Sequence, residues 1–240
     1  MPKYKPSILI SDCWGSVGDL TFYHVDGKCF YKSKPRCSFP ATAGQLENQE
    51  LHRRALAAWR TLEPAMQALW HLYAKEAVSH RPPFDGKAHI SGHNLFVSAY
   101  HNFAIMGQEH LPEPRPFAGF PVYAMTFQEA ERDGETGLVL RFRVRLMEEA
   151  FPSPGRWQLL LKLQLTWPAG GKKPGLMRNV LAEGLCEAGD SVVSFRVADY
   201  RRVWDLDLHS YHAHAQSVLL DRETGYRDIH HDLSFDFSLM

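Results

Sequence analysis

The feature that most constrains this chain is an apolar/polar alternation of period two that recurs through its second half. In Leu138-Val-Leu-Arg-Phe-Arg-Val-Arg-Leu146, the residues Leu138, Leu140, Phe142, Val144 and Leu146 fall on one side and arginines on the other. Trp157, Leu159, Leu161, Leu163, Leu165 and Trp167 repeat the rule. So do Ile229, His231, Leu233, Phe235, Phe237 and Leu239, with Asp232, Ser234, Asp236 and Ser238 between them. Successive side chains of a strand point to opposite faces, so these runs specify half-buried antiparallel strands, one face on a core and one in water. Further strands are expected near 122–130, 191–198, 202–210 and 214–220. No helical pattern separates them, which disfavours a parallel α/β sheet. The count and spacing predict an antiparallel β-sandwich of immunoglobulin or fibronectin-like type rather than a barrel.

The first half reads differently, so the fold class expected for the whole chain is α+β. Leu20-Thr-Phe-Tyr-His-Val25 and Lys28-Cys-Phe-Tyr-Lys32 flank Asp26-Gly27, a pair that suits a tight hairpin turn because both central residues need φ > 0. Thr42-Ala-Gly-Gln45 matches a capping box and opens a helix expected to run to about Leu62. Pro64 suits the first turn of a second helix, which carries Met66, Leu69, Trp70, Tyr73 and Ala77 at helical spacing. A third is expected over Gly92–Met106, with Gly107 as its stop. Trp59 and Trp70, one on each of the first two helices, are read as core anchors, as is Trp157 in the β region. Three prolines between Leu111 and Pro116 favour an extended spacer. The expected domains are therefore 1–110 (hairpin and helices), a Pro-rich linker over 111–120, and a β-sandwich over 121–240.

Composition removes several function classes. Lys plus Arg and Asp plus Glu are both 27, so no net charge draws the chain to nucleic acid or an acidic membrane surface. No apolar run reaches the roughly 18 residues of a membrane span, and the N-terminus lacks the apolar core of an export signal, so a cytoplasmic protein is expected. Cys13, Cys29, Cys37 and Cys186 lack zinc-ligand spacing and are expected to be reduced thiols. Nucleophile-elbow, phosphate-loop and metalloprotease motifs are absent from the sequence. His212-Ala-His214 would put two imidazoles on one strand face, which makes these two the candidate metal ligands, although surface histidines are the simpler reading. Asp205 and Asp207 read as solvated charges.

Charge is nonetheless uneven. Residues 1–40 hold six basic against three acidic side chains, and residues 203–240 two basic against seven acidic, a pattern suited to head-to-tail contact between copies. The hairpin carries aromatics of both parities (Phe22, Tyr23, Phe30, Tyr31) with Lys32 and Lys34 beside them, more apolar surface than two strands can hide. These six residues are the candidate interaction surface.

Gly15-Ser-Val-Gly18, the hairpin, Lys32-Ser-Lys-Pro35 and the Thr42-x-x-Gln45 helix lead, followed by a Trp-containing helical hairpin, together resemble an uncharacterised bacterial family known from Bacteroidota and phage-related sequences. The resemblance covers roughly residues 10–107 and implies no catalytic residues. The function expected from all of this is a non-enzymatic structural or interaction protein without cofactor, self-associating or joining other protein subunits in a larger, phage-like particle. A membrane or a nucleic acid is not the expected partner. A glycan- or ligand-binding sandwich presenting Tyr200, Trp204 and Tyr211 is the first alternative, and a metal-dependent hydrolase using His212 and His214 the second.

Overall fold

The computed structural model describes residues 15–25, 28–33, 40, 42–76, 90–117, 119–147, 155–206 and 208–239. The chain forms two compact units: residues 1–51 with 81–88, and residues 52–80 with 89–240. Helices two and three thus belong to the same unit as the β region.

In the first unit, β1 (Gly15–Val17), β2 (Leu20–Val25) and β3 (Lys28–Ser33) make an antiparallel sheet in the order β1-β2-β3. The β2–β3 pairing runs from Leu20↔Ser33 to Val25↔Lys28, the register of a two-residue connection. Asp26 and Gly27 themselves lie outside the described residues. Where a hairpin was expected there are three strands, because Gly18 takes a positive φ of 56° and turns the Gly-Ser-Val stretch back onto β2. The first helix, α1 (Ala43–Thr61), runs from the first unit into the second and begins as its sequence predicts. Thr42 N donates to Gln45 Oε1 at 2.9 Å, and Gln45 N donates to Thr42 Oγ1 at 3.4 Å, the reciprocal bonds of a capping box.

In the second unit α2 (Pro64–Tyr73) starts on its proline, and α3 (Gly92–Ile105) is capped by Ser91 Oγ accepting from Asn94 N. Gly107, at φ 70°, ends α3: its N–H donates to Ala104 O and that of Gln108 to Phe103 O. Trp70, Ala74, Leu95, Phe96, Ala99 and Tyr226 form one buried cluster, with Trp59 partly buried against it. The proline-rich stretch is packed on this cluster. Pro112 is buried, Tyr226 Oη donates to Arg115 O at 2.8 Å, and the Phe117 and Tyr226 rings stack 4.5 Å apart.

Seven strands follow: β4 (Tyr123–Asp133), β5 (Gly137–Leu146), β6 (Trp157–Thr166), β7 (Arg178–Glu183), β8 (Gly189–Val197), β9 (Ser210–Asp221) and β10 (His231–Ser238). They form one antiparallel sheet ordered β10-β9-β6-β7-β8-β5-β4. A meander of β6, β7 and β8 is flanked by the β4–β5 hairpin on one side and the β9–β10 hairpin on the other. The sheet curls until its outer strands meet, with Phe127 of β4 stacked on Phe235 of β10 at 4.3 Å. The arrangement is close to a barrel, and the strand order is that of one curled sheet; the α+β, β-rich expectation holds, whereas an immunoglobulin-like pair of sheets does not emerge from it. One continuous core lies inside, made largely by the alternating residues of β5, β6, β8 and β9.

Three local expectations fail. Ile229 was placed on the inner face of the last strand, yet it precedes β10 and is 47% exposed. Residues 202–210 were expected as a strand, but α4 (Tyr200–Trp204) occupies the start of that stretch, between left-handed Asp199 and Asp205. β7 replaces it in the count. Trp167 was placed on the inner face of β6, yet it follows the end of the strand and is 55% exposed. β6 is buried on both faces because α3 covers its outer side, where Phe103 and Met106 meet Leu160, Val218 and Leu220.

Candidate functional site

Two places combine the residues singled out from sequence. The first is the small sheet. Its register sets Phe22 opposite Tyr31 on one face and Tyr23 opposite Phe30 on the other. The first pair is tilted with ring centroids 6.3 Å apart, the second stacked at 5.8 Å. Lys32 Nζ lies 5.6 Å from the Tyr23 centroid, over the negative face of the ring. All four aromatics are half-buried and Lys32 is exposed. Lys34 lies outside the described residues. The alternation read from sequence is therefore realised, and both faces of a three-stranded sheet are aromatic.

The second place is the outer face of β6, β9 and β10, reached from the candidate metal ligands. His212 and His214 lie side by side there with ring centroids 4.6 Å apart. His212 Nδ1 donates to Asp236 Oδ1 at 2.6 Å, since Asp236 stands directly opposite it on β10. His214 Nε2 donates to the Gly170 carbonyl at 2.8 Å. The strand spacing does bring both imidazoles together, but each is held by a separate acceptor. Among the described residues no group of three or more His, Cys, Asp or Glu side chains is arranged to hold a metal ion.

Sequence reasoning missed the loop after β6. Gly170 turns back through its N–H to Trp167 O, and Lys173 N donates to the buried Gln164 Oε1 at 2.7 Å, which ties the loop to the sheet. Lys172 Nζ then reaches Asp232 Oδ1 at 2.8 Å, an oxygen that also accepts from Gln216 Nε2 at 2.9 Å. These bonds and the Lys172 charge hold the Asp232 carboxyl below the usual carboxylate range. Between loop and strands lies an open cleft of about 300 Å³ lined by Lys172, His214, Ala215, Asp232, Leu233 and Ser234. The only sequence signal for it was the alternation placing Asp232, Ser234 and Asp236 on the solvent face of β10. Finding the partners required the β9–β10 register.

The remaining candidates are structural. Trp70 and Trp157 are buried and Trp59 half-buried. Tyr200, Trp204 and Tyr211, expected to present a ligand platform, are 1%, 8% and 0% exposed and lie in the main core, so they present nothing to solvent. The acidic C-terminal stretch is largely engaged within its own unit. Asp221 is buried against Arg156, with Nη2 to Oδ2 at 2.6 Å, Asp236 holds His212, and Asp228 lies 3.5 Å from His231. Cys186 is a free thiol, and burial pushes it up to about 12.

The fold and these sites define a chain with a curled seven-stranded antiparallel sheet, helices on its outer face, and a separate three-stranded aromatic sheet. No family model matches it, and no curated protein does. Solved structures with partial likeness include AggA, the major subunit of aggregative adherence fimbriae type I from Escherichia coli, at 8% identity over 51% of this chain and 96% of AggA, TM-score 0.27. Two others are a β-glucosidase from Listeria innocua in complex with isofagomine (9% identity, 55% of this chain, TM-score 0.26) and β-glucosidase 3B from Thermotoga neapolitana in complex with glycerol (13%, 58%, TM-score 0.22). The match spans 18% and 20% of those two enzymes. Likenesses this slight carry no argument about function. No described helix is long and apolar enough to cross a membrane.

Proposed function

We propose that this chain is a non-enzymatic structural or interaction protein that associates with copies of itself or with other protein subunits through its small N-terminal sheet. A component of a phage-like particle is the specific form of this reading. The observation that carries it is the pairing of Phe22 with Tyr31 on one face and Tyr23 with Phe30 on the other, in a sheet of only three short strands that belongs to a unit of its own. A sheet normally has one apolar face, which it buries on its core, and one polar face. A sheet that is aromatic on both faces carries apolar surface on either side, and contiguous apolar surface is characteristic of interaction sites.

The test compares the full chain with a Tyr23→Ser/Phe30→Ser variant and with a chain lacking residues 1–40. Light scattering after size exclusion is expected to give a mass well above 27.4 kDa for the full chain and the monomer mass for both variants. Circular dichroism should show the large sheet retained in each. A full chain that runs as a monomer at tens of micromolar, and captures no subunit through this face, overturns the reading.

A further inference from the structure

We propose that the cleft between the loop after β6 and the outer face of β9 and β10 binds a neutral saccharide, one sugar ring at a time. This goes beyond the assembly reading and rests on a different part of the molecule.

The lining chooses the ligand class. Lys172 and Asp232 both line the cleft and are paired with each other at 2.8 Å, so its wall carries one positive and one negative charge. An anion would face the Asp232 carboxylate, and a cation the Lys172 ammonium. A purely apolar ligand would strip water from both charges, from His214 and from Ser234 without replacing their hydrogen bonds. A zwitterion would have to break the existing ion pair, so the ligand that fits the cleft as it stands is polar, uncharged, and both donor and acceptor.

The open valences have that character. Asp232 uses Oδ1 for both Lys172 and Gln216, while among the described residues its Oδ2 accepts no hydrogen bond. His214 donates through Nε2 to Gly170 O, so in the neutral ring Nδ1 is an acceptor. The Ser234 hydroxyl, which both donates and accepts, makes no hydrogen bond among the described residues, and it stands directly across the strand pair from His214. Lys172 keeps further N–H donors beyond the one on Asp232. These groups are held in place before any ligand arrives: Asp232 by two donors, His214 by a backbone carbonyl, and the loop by Lys173 N on Gln164. Prior ordering lowers the entropic cost of binding. A volume of about 300 Å³ lies at the small end of ligand clefts and suits a single ring.

The experiment is saturation-transfer difference NMR on the full chain. The probes are methyl glycosides of glucose, galactose, mannose and N-acetylglucosamine, with galacturonate and glucosamine as charged counterparts. At least one neutral glycoside is expected to give signal at millimolar concentration, stronger than either charged analogue. Asp232→Ala and Ser234→Ala should each weaken it about tenfold, the loss of one charge-assisted or well-formed hydrogen bond. Both positions are at the surface, and unchanged thermal midpoints show that the variants fold. The proposal is overturned by the absence of signal from every neutral glycoside, by a charged analogue binding better, or by undiminished binding in the variants. Failure here leaves the mass measurements on the small sheet unaffected, and the reverse is also true.

Discussion

At the residue scale, the side chain with the sharpest consequence is His101 on α3. Its ring lies 5.7 Å from that of His52 on α1. Its Nε2 is buried with no hydrogen-bond partner among the described residues. Burial first, and the neighbouring His52 second, lower its titration from the ordinary 6.5. A histidine whose folded pKa is depressed contributes stability that is fully present above the unfolded value and lost as pH falls through and below it. The denaturation midpoint of the full chain is therefore expected to decline as the pH falls through and below the ordinary 6.5, and His101→Gln should flatten that decline. Equal pH dependence in the two proteins would show that α1–α3 packing does not respond to this ring. Other residues were readable in advance to different degrees. The period-two pattern correctly put Leu159, Leu161 and Leu163 inside, because a strand leaves each residue only two directions. Trp59 and Trp70 were assigned the same role from the same signal. Trp70 is completely buried between Phe96 and Tyr226, whereas Trp59 is half-buried and meets His71 and His93 edge-on. Helical spacing names a face without saying how deeply that face is covered.

At the scale of elements, the turn after β9 joins the sheet to the helices. Asp221 accepts Gly225 N through its backbone carbonyl, while its side chain holds Arg156 and the N–H of Glu223. The turn thus presents Gly225 O to the buried Asn102 Nδ2 of α3 at 2.7 Å. Gly225 has φ 72°, and a Cβ there would stand 2.7 Å from Ala99 O and 2.9 Å from the Phe103 ring. Gly225→Ala is expected to cost about 3 kcal/mol, from backbone strain plus displacement of α3, read as a lower urea midpoint with unchanged slope. A loss below about 0.5 kcal/mol would mean that the helix shifts freely. Helix boundaries were legible because their signals are local: the Thr42–Gln45 box, Pro64 and Gly107 act within one turn. The stretch from Tyr200 was misread for the opposite reason. Tyr200, Val203 and Trp204 resemble a strand in composition, but their helical turn is imposed by left-handed residues at both ends and by burial of Tyr200 and Trp204 in the core. β7 escaped notice because Arg-Asn-Val-Leu-Ala-Glu is short and only Val180 and Ala182 are buried.

At the scale of the whole molecule, the stability of the large sheet depends on closure between β4 and β10. Phe127 sits at that seam, with Phe142, Phe235 and Phe237 within 6.0 Å between ring centroids, just before the register shift that bends β4. Phe127→Ala should lower stability by about 3 kcal/mol and speed amide hydrogen exchange in β4 and β10 ahead of β6 and β9. Exchange accelerated uniformly across all strands would show that the seam is no weaker than the centre. The sequence by itself determined most of the elements: the stretches of β2 to β6 and β8 to β10, which side of β5 and β6 faces the core, where α1, α2 and α3 start, and that the N-terminal sheet is aromatic on both faces. These follow from the two- and 3.6-residue periods and from caps, which depend on neighbours in the chain. Only the tertiary structure decided that the strands form one curled sheet, that β5 lies beside β8 and β9 beside β6, and that Asp232 and Ser234 meet Lys172 and His214 around a cleft. Period two is the same whether a strand's inner face meets a second sheet or the far side of its own, so strand order is set by contacts between residues tens of positions apart, which no local pattern records.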